Sequence, residues 1–97
     1  MLPIQRLEQY SLRFPQEVLL VEADVAGQRD QIMVFKGFSS SLVQATASDP
    51  DVPILPADAV ILSLSRCRAP YRPPAPEMIE PDLSWSEFLE RLANLGL

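Results

Sequence analysis

The sequence predicts an α+β fold: a four-stranded antiparallel meander, open or curved into a small barrel, covered by a C-terminal amphipathic helix. Three observations carry this. Residues 17–25 and 58–66 are apolar runs with period-two alternation. The stretch Ala26-Gly27-Gln28-Arg29-Asp30 supplies hairpin chemistry between the first two strands. Ser84 and Glu87 stand at capping-box spacing ahead of an apolar stripe of period 3.6. The chain has 97 residues, a length that suits one domain over 1–97.

Taken in order, Ile4, Leu7 and Tyr10 share one helical face, so Leu2 to Phe14 reads as a short helix or an irregular arm. Pro15 closes it, because proline disfavours helical geometry in the residue before it. The run EVLLVEADV (17–25) is the first strand, with Val21, Ala23 and Val25 inward and Glu22 and Asp24 outward. Gly27 takes the turn. The run QIMVFKGF (31–38) is the second strand, with Gly37 marking a bulge or bend. Ser39 to Ala47 is a third, more polar strand, and the prolines at 50, 53 and 56 make a loop. Asp58 to Arg66 is the fourth strand, with Val60, Leu62 and Leu64 on one face and Ile61, Ser63 and Ser65 on the other. Pro70, Pro73, Pro74, Pro76 and Pro81 predict an extended, polyproline-like excursion over 69–83. In the final helix Trp85, Phe88, Leu89, Leu92 and Leu95 line one face, and Gly96 ends it.

Composition narrows the function. The chain contains no histidine, which removes imidazole bases, Ser-His and Cys-His pairs and His-ligated metals. A single cysteine, Cys67, excludes an internal disulfide and fits a reducing compartment. Net charge is −5, the opposite of a general nucleic-acid binder. No apolar run reaches the ~20 residues of a membrane span, and the N-terminus lacks a signal-peptide pattern. The pairs Glu22/Asp24 and Asp49/Asp51 lack a third ligand at a recognisable spacing, Ser39-Ser40-Ser41 lacks a base, and the three glycines make no phosphate loop. We therefore expect no catalytic residue, metal or cofactor.

Residues 59–72 hold Arg66, Arg68 and Arg72 and no acid, in an otherwise acidic chain. With Tyr71 they form a candidate docking patch for an acidic protein, since Arg and Tyr are favoured at interface centres. The other reading is local neutralisation by Glu77, Glu80 and Asp82. Met78 and Ile79 need burial in this chain or in another, which makes them candidate partner-binding residues too. Cys67 lies between two arginines, a setting that favours thiolate, but no resolving thiol or base accompanies it. Trp85 and Phe88 read as core. Met33, Phe35 and Phe38 would line the sheet in the alternative reading, a stand-alone β domain that binds a small ligand.

The segments EVLLVEADV, AGQRD, QIMVFKGFSSSL and PAPEMIEPDLSWSEFLERL together resemble a family of small acidic proteins of cyanobacteria and chloroplasts, the NdhV family. The resemblance runs from Glu17 to Leu92. Its members are peripheral subunits of the photosynthetic NADH dehydrogenase-like complex. The resemblance implies a non-catalytic role on the cytoplasmic or stromal arm, peripheral to the thylakoid membrane. The neighbours would be the subunit NdhS and the iron–sulfur subunits of the arm. The role would be to stabilise that arm and support ferredoxin-dependent cyclic electron flow. Contact with acidic ferredoxin would fall to Arg66, Arg68 and Arg72.

Overall fold

The structure, a computed structural model, describes residues 2–42, 55–72 and 75–97. Helix α1 (Pro3–Arg13) is followed by strands β1 (Glu17–Val25), β2 (Gln28–Phe35), β3 (Phe38–Ser41), β4 (Val60–Arg68) and β5 (Met78–Ser84), and then by helix α2 (Trp85–Asn94). The strands form one open antiparallel sheet in the order β3-β2-β1-β4-β5. The α+β class and the C-terminal helix are as the sequence predicts. Of the two packings the sequence allows, the sheet takes the open one, and two details differ: the sheet has five strands, and β4 returns to pair with β1 rather than extending a meander beyond β3.

The central place of β1 follows from its composition. Val18 and Leu20 face one side, Leu19, Val21 and Ala23 the other, and all five are buried. A strand apolar on both faces is stable only between neighbours. On one edge of it, two two-residue turns build the β1–β2–β3 ribbon. Ala26 and Gly27 have φ of 53° and 82°, and Lys36 and Gly37 have 48° and 82°. Positive φ at both positions gives the turn whose twist matches antiparallel strands. Gly37 therefore marks a bend rather than a bulge: it is a turn residue that ends β2 at Phe35, where one strand over 31–38 was expected. A Cβ there would lie 2.8 Å from Leu12 Cδ2, so glycine also permits the close approach of α1. The Gly37 amide donates to Ser11 Oγ at 2.8 Å, and Ser39 Oγ donates to Glu8 Oε2 at 2.8 Å, which fastens α1 to the turn.

On the other edge, the register of β4 on β1 slips between Glu22 and Ala23, and Leu62 becomes the extra residue. The bulge breaks the expected face of Val60, Leu62 and Leu64. Ile61 and Leu64 are buried together, whereas Val60 and Leu62 are exposed. Of the expected polyproline-like excursion over 69–83, residues 78–83 belong to β5, 69–72 and 75–77 are in neither helix nor strand, and 73–74 lie outside the described residues. Pro81 is tolerated because β5 is an edge strand, with no further strand to receive its missing amide. Asp82 has a φ of 53°, and its amide donates to Ser65 Oγ at 3.1 Å. Of the expected third strand, residues 38–41 are strand and 43–47 lie outside the described residues, as do Asp49, Asp51 and the loop prolines 50 and 53.

Both helices cover the same face. Ile4, Leu7 and Tyr10 of α1 and Phe88 and Leu92 of α2 share a core with Leu19, Val21, Ile32, Val34, Leu64 and Leu83. The ring of Phe88 meets Tyr10 edge-on at 5.0 Å. Helix α1 is thus real, and its Leu2 amide donates to Gln5 Oε1 at 2.8 Å. Ser84 caps α2 as expected, accepting from the Glu87 amide at 3.2 Å, and Gly96 ends it with φ of 74°. Arg6 and Arg13 of α1 donate to the carbonyls of Leu97 and Leu95, tying the two helices together where the last carbonyls of α2 need donors.

Candidate functional site, two sides of the sheet

Strand β4 sends alternate residues to opposite faces, so Arg66 and Arg68, opposite Leu19 and Glu17, share one face and Cys67 between them, opposite Val18, takes the other. Arg66 pairs with Leu19 in the register and shares its covered face. Its Nε and Nη2 donate to the two oxygens of Glu17, both at 2.7 Å. Its Nη1 pairs with Glu80 Oε1, and Glu80 also accepts from both terminal nitrogens of Arg91, with 2.7 Å to Nη2. Tyr10 Oη completes the network by donating to Glu17 Oε1 at 2.8 Å.

The side chain of Glu17 is only 5% exposed and that of Arg66 19%. Burial pushes the Glu17 carboxyl up, but donation from Arg66 and Tyr10 outweighs it and holds the group below the usual carboxylate range. The Arg91 guanidinium, with Arg66 second to it and burial opposing, draws Glu80 down to about 2. Donation to Glu17 keeps Arg66 firmly protonated. Burial, reinforced by the adjacent Glu17, pushes the Tyr10 hydroxyl up. Every charge in this group is met, and the group joins α1, β1, β4, β5 and α2 at one point. Its chemistry is that of a structural clamp: it fixes Arg66 inside the fold.

The other sequence-derived site residues sit elsewhere. Arg68 is exposed and pairs with Glu77 at 3.3 Å. Arg72 is exposed, and no hydrogen bond or ion pair holds it among the described residues. Tyr71 is half-buried against the cluster formed by Val18, Leu20 and Cys67 on the face opposite both helices. Met78 pairs with Cys67 in the register, and Cys67 Sγ lies 3.4 Å from its sulfur. Met78 and Ile79 are both exposed large apolar residues. The structure thus brings Tyr71 and Met78 together around Cys67 and leaves Arg66 on the opposite side of the sheet. Burial pushes the Cys67 thiol up, which opposes the thiolate character its arginine neighbours would favour.

The sequence reading did not single out Val18, Leu20 or Lys36. Val18 and Leu20 floor the face opposite the helices, and Met33, Phe35, Ala69 and Tyr71 pack against them. The signal was present in EVLL, where four successive residues with three apolar ones imply that both faces are buried. Lys36 holds its ammonium 5.2 Å from the centroid of the Phe35 ring. Phe38 pairs with Phe35 in the register and is 79% exposed.

The remaining candidates are structural. Ser41 Oγ donates to Asp30 at 2.7 Å, and Glu22 accepts from Gln31 at 3.1 Å across the β1–β2 pair. Among the described residues, no group of three or more His, Cys, Asp or Glu side chains is placed to hold a metal ion. Among them, too, no helix is long and apolar enough to cross a membrane.

A family model described as a domain of unknown function (DUF7734) matches residues 4–92, from the first turn of α1 to the buried stripe of α2. No curated protein and no solved structure matches the chain.

Proposed function

The chain belongs to the DUF7734 family, whose description carries a domain and no activity, and on that footing we propose that it works by protein contact, as a non-catalytic accessory subunit. The single observation that supports this most is the sheet face opposite both helices. Phe38 and Met78 stand on it 79% and 46% exposed, beside a floor of buried apolar residues. An apolar patch of this kind on a small domain usually marks a contact surface. A small-ligand site would instead enclose its ligand in a concave pocket, and an 79%-exposed Phe38 favours the flatter role.

The resemblance noted above gives the reading its setting. The complex would be the photosynthetic NADH dehydrogenase-like complex, with the domain seated on its peripheral arm beside NdhS and the iron–sulfur subunits. It would stand on the cytoplasmic or stromal side of the thylakoid membrane, held there by protein contacts, and would support electron input from ferredoxin. Arg68, Arg72 and Tyr71 remain available for contact in this reading. Arg66 is occupied by Glu17 and Glu80 and acts through the fold instead. The experiment is co-purification of the tagged protein from detergent-solubilised photosynthetic membranes. Recovery of the complex's arm subunits is expected; recovery of the tagged chain alone would overturn the proposal.

A further inference from the structure

The face opposite the helices is not uniform along its strands. At the end formed by the β1–β2 turn, its outward groups are Glu22, Asp24, Gln31 and Arg29, paired across the strands. They satisfy one another: Glu22 accepts from Gln31 and lies 4.0 Å from Arg29, and Asp24 accepts from the Gly27 amide. At the other end the floor is Val18, Leu20 and Cys67, all buried. From Phe38 on β3 to Met78 on β5 the patch crosses five strands, about 19 Å at the usual strand spacing.

Among the described residues, the charges around this apolar end run against the net charge of the chain, which is −5. Arg68 lies on the helix side, opposite Glu17 in the register, and pairs with Glu77. Lys36 stands over Phe35 on the β2–β3 side, and Arg72 follows Tyr71, which packs on the floor. Neither cation has a carboxylate partner among the described residues. We infer that this end of the sheet is a docking face for an acidic protein segment that carries apolar or aromatic side chains, its carboxylates met by Lys36 and Arg72 and its apolar groups seated on Phe35, Phe38 and Met78. The inference rests on the protein-contact reading and gives that contact a surface and a chemistry.

Charge also argues against the other occupants. Two copies docked through this face would each bring a net charge of −5 and would crowd the same two cations into one interface. An anionic bilayer is usually held by a cluster of roughly four to eight basic residues, and among the described residues this face offers Lys36 and Arg72.

The test uses the full chain, isotope-labelled on its amides and methyl groups, and a seven-residue probe peptide that alternates Glu or Asp with Leu and Phe. A counterpart with Lys in place of the acids serves as control. The acidic peptide should shift the resonances of Val18, Leu20, Met33, Phe35 and Tyr71 and leave those of Leu19 and Val21, across the sheet, in place. The variant K36E/R72E, altered only at exposed surface positions, should keep its melting temperature and bind the acidic peptide roughly tenfold more weakly. Equal response to the Lys peptide, no response on this face, or unchanged affinity in K36E/R72E would overturn the inference. Shifts that depend on protein concentration alone would overturn it in favour of a second copy. Shifts produced by phosphatidylglycerol vesicles and by neither peptide would overturn it in favour of a membrane. If the arm subunits co-purify with the wild-type chain but the peptide moves nothing here, this inference fails and the proposed function stands. If the peptide binds and no subunit is recovered, the reverse holds.

Discussion

Replacing Arg66 by methionine tests the clamp that joins both helices to the sheet. The substitution keeps most of the side chain's volume and removes its charge. Glu17, 5% exposed at its side chain, then loses both donors that Arg66 supplies and keeps only the Tyr10 hydroxyl. Removing one partner of a buried ion pair costs about 3–5 kcal/mol, because the remaining charge is left uncompensated. Arg66 retains 19% exposure, so the lower end applies, about 3 kcal/mol. For a domain of this size that lowers Tm by roughly 12–24 °C. The double variant E17Q/R66M removes both charges and should return to within about 1 kcal/mol of wild type.

The pH dependence has a defined sign. In the wild type the Glu17 carboxyl is held below its ordinary value, so its contribution is complete above the unfolded pKa, about 4.3, and is lost as pH falls through the folded value. Without Arg66, burial dominates and the folded carboxyl rises above that of the unfolded chain. Its penalty is then full at neutral pH and fades as the pH approaches about 4. Urea unfolding at pH 7 and pH 4 measures both effects: the gap between R66M and wild type should narrow at the lower pH. The reasoning is refuted if R66M unfolds like wild type at pH 7, or if E17Q/R66M is no more stable than R66M.

Two further predictions concern packing and one concerns reactivity. Phe88→Ala removes a fully buried ring at the junction of the helices and should cost about 3–5 kcal/mol in urea unfolding. Gly37→Ala should destabilise more than Gly27→Ala: both have φ of 82°, but a methyl group at Gly37 meets Leu12 at 2.8 Å whereas the space at Gly27 is open. The backbone term common to both is on the order of 1 kcal/mol. Cys67 is 0% exposed and its thiol is pushed up by burial, so iodoacetamide at pH 8 should label the folded chain far more slowly than the urea-unfolded one; comparable rates would contradict the burial.

Much of this arrangement is legible in the residues. The apolar run of β1, the Ala26-Gly27 turn, the apolar stripe of α2 and its Ser84 cap all follow from local chemistry, and each is where the sequence places it. The second turn is harder to read because Lys36-Gly37 sits between Phe35 and Phe38 in an apolar run, without the polar residues that follow Ala26-Gly27. Strand β5 was hidden by its prolines, since whether Pro81 is permitted depends on which edge of a sheet the strand occupies. The return of β4 to β1 is a long-range choice that no local pattern encodes, and the bulge at Leu62 shifts inward and outward residues along part of β4.

The candidate site shows the same division. Alternation from Leu64 places Arg66 on the covered face, yet only the arrival of Glu17 and Glu80 from other strands turns it into a buried clamp. The pairing of Arg66 with Glu80 and of Arg68 with Glu77 fits the local-neutralisation reading and leaves Arg72 as the arginine of the cluster that faces solvent without a partner among the described residues. Lys36 and Phe38 are distant in sequence from Tyr71 and Met78, and only the order β3-β2-β1-β4-β5 puts them on one surface.

That surface can be separated from the fold at Phe38, whose ring is 79% exposed. Phe38→Glu should therefore keep the wild-type Tm while reversing the character of the face. Tagged wild-type and F38E chains recovered in parallel from solubilised photosynthetic membranes provide the most direct measurement. The account predicts that wild type carries the arm subunits of the NADH dehydrogenase-like complex and that F38E, folded, loses them. Equal recovery of those subunits by F38E, or their absence from the wild-type sample, would contradict it.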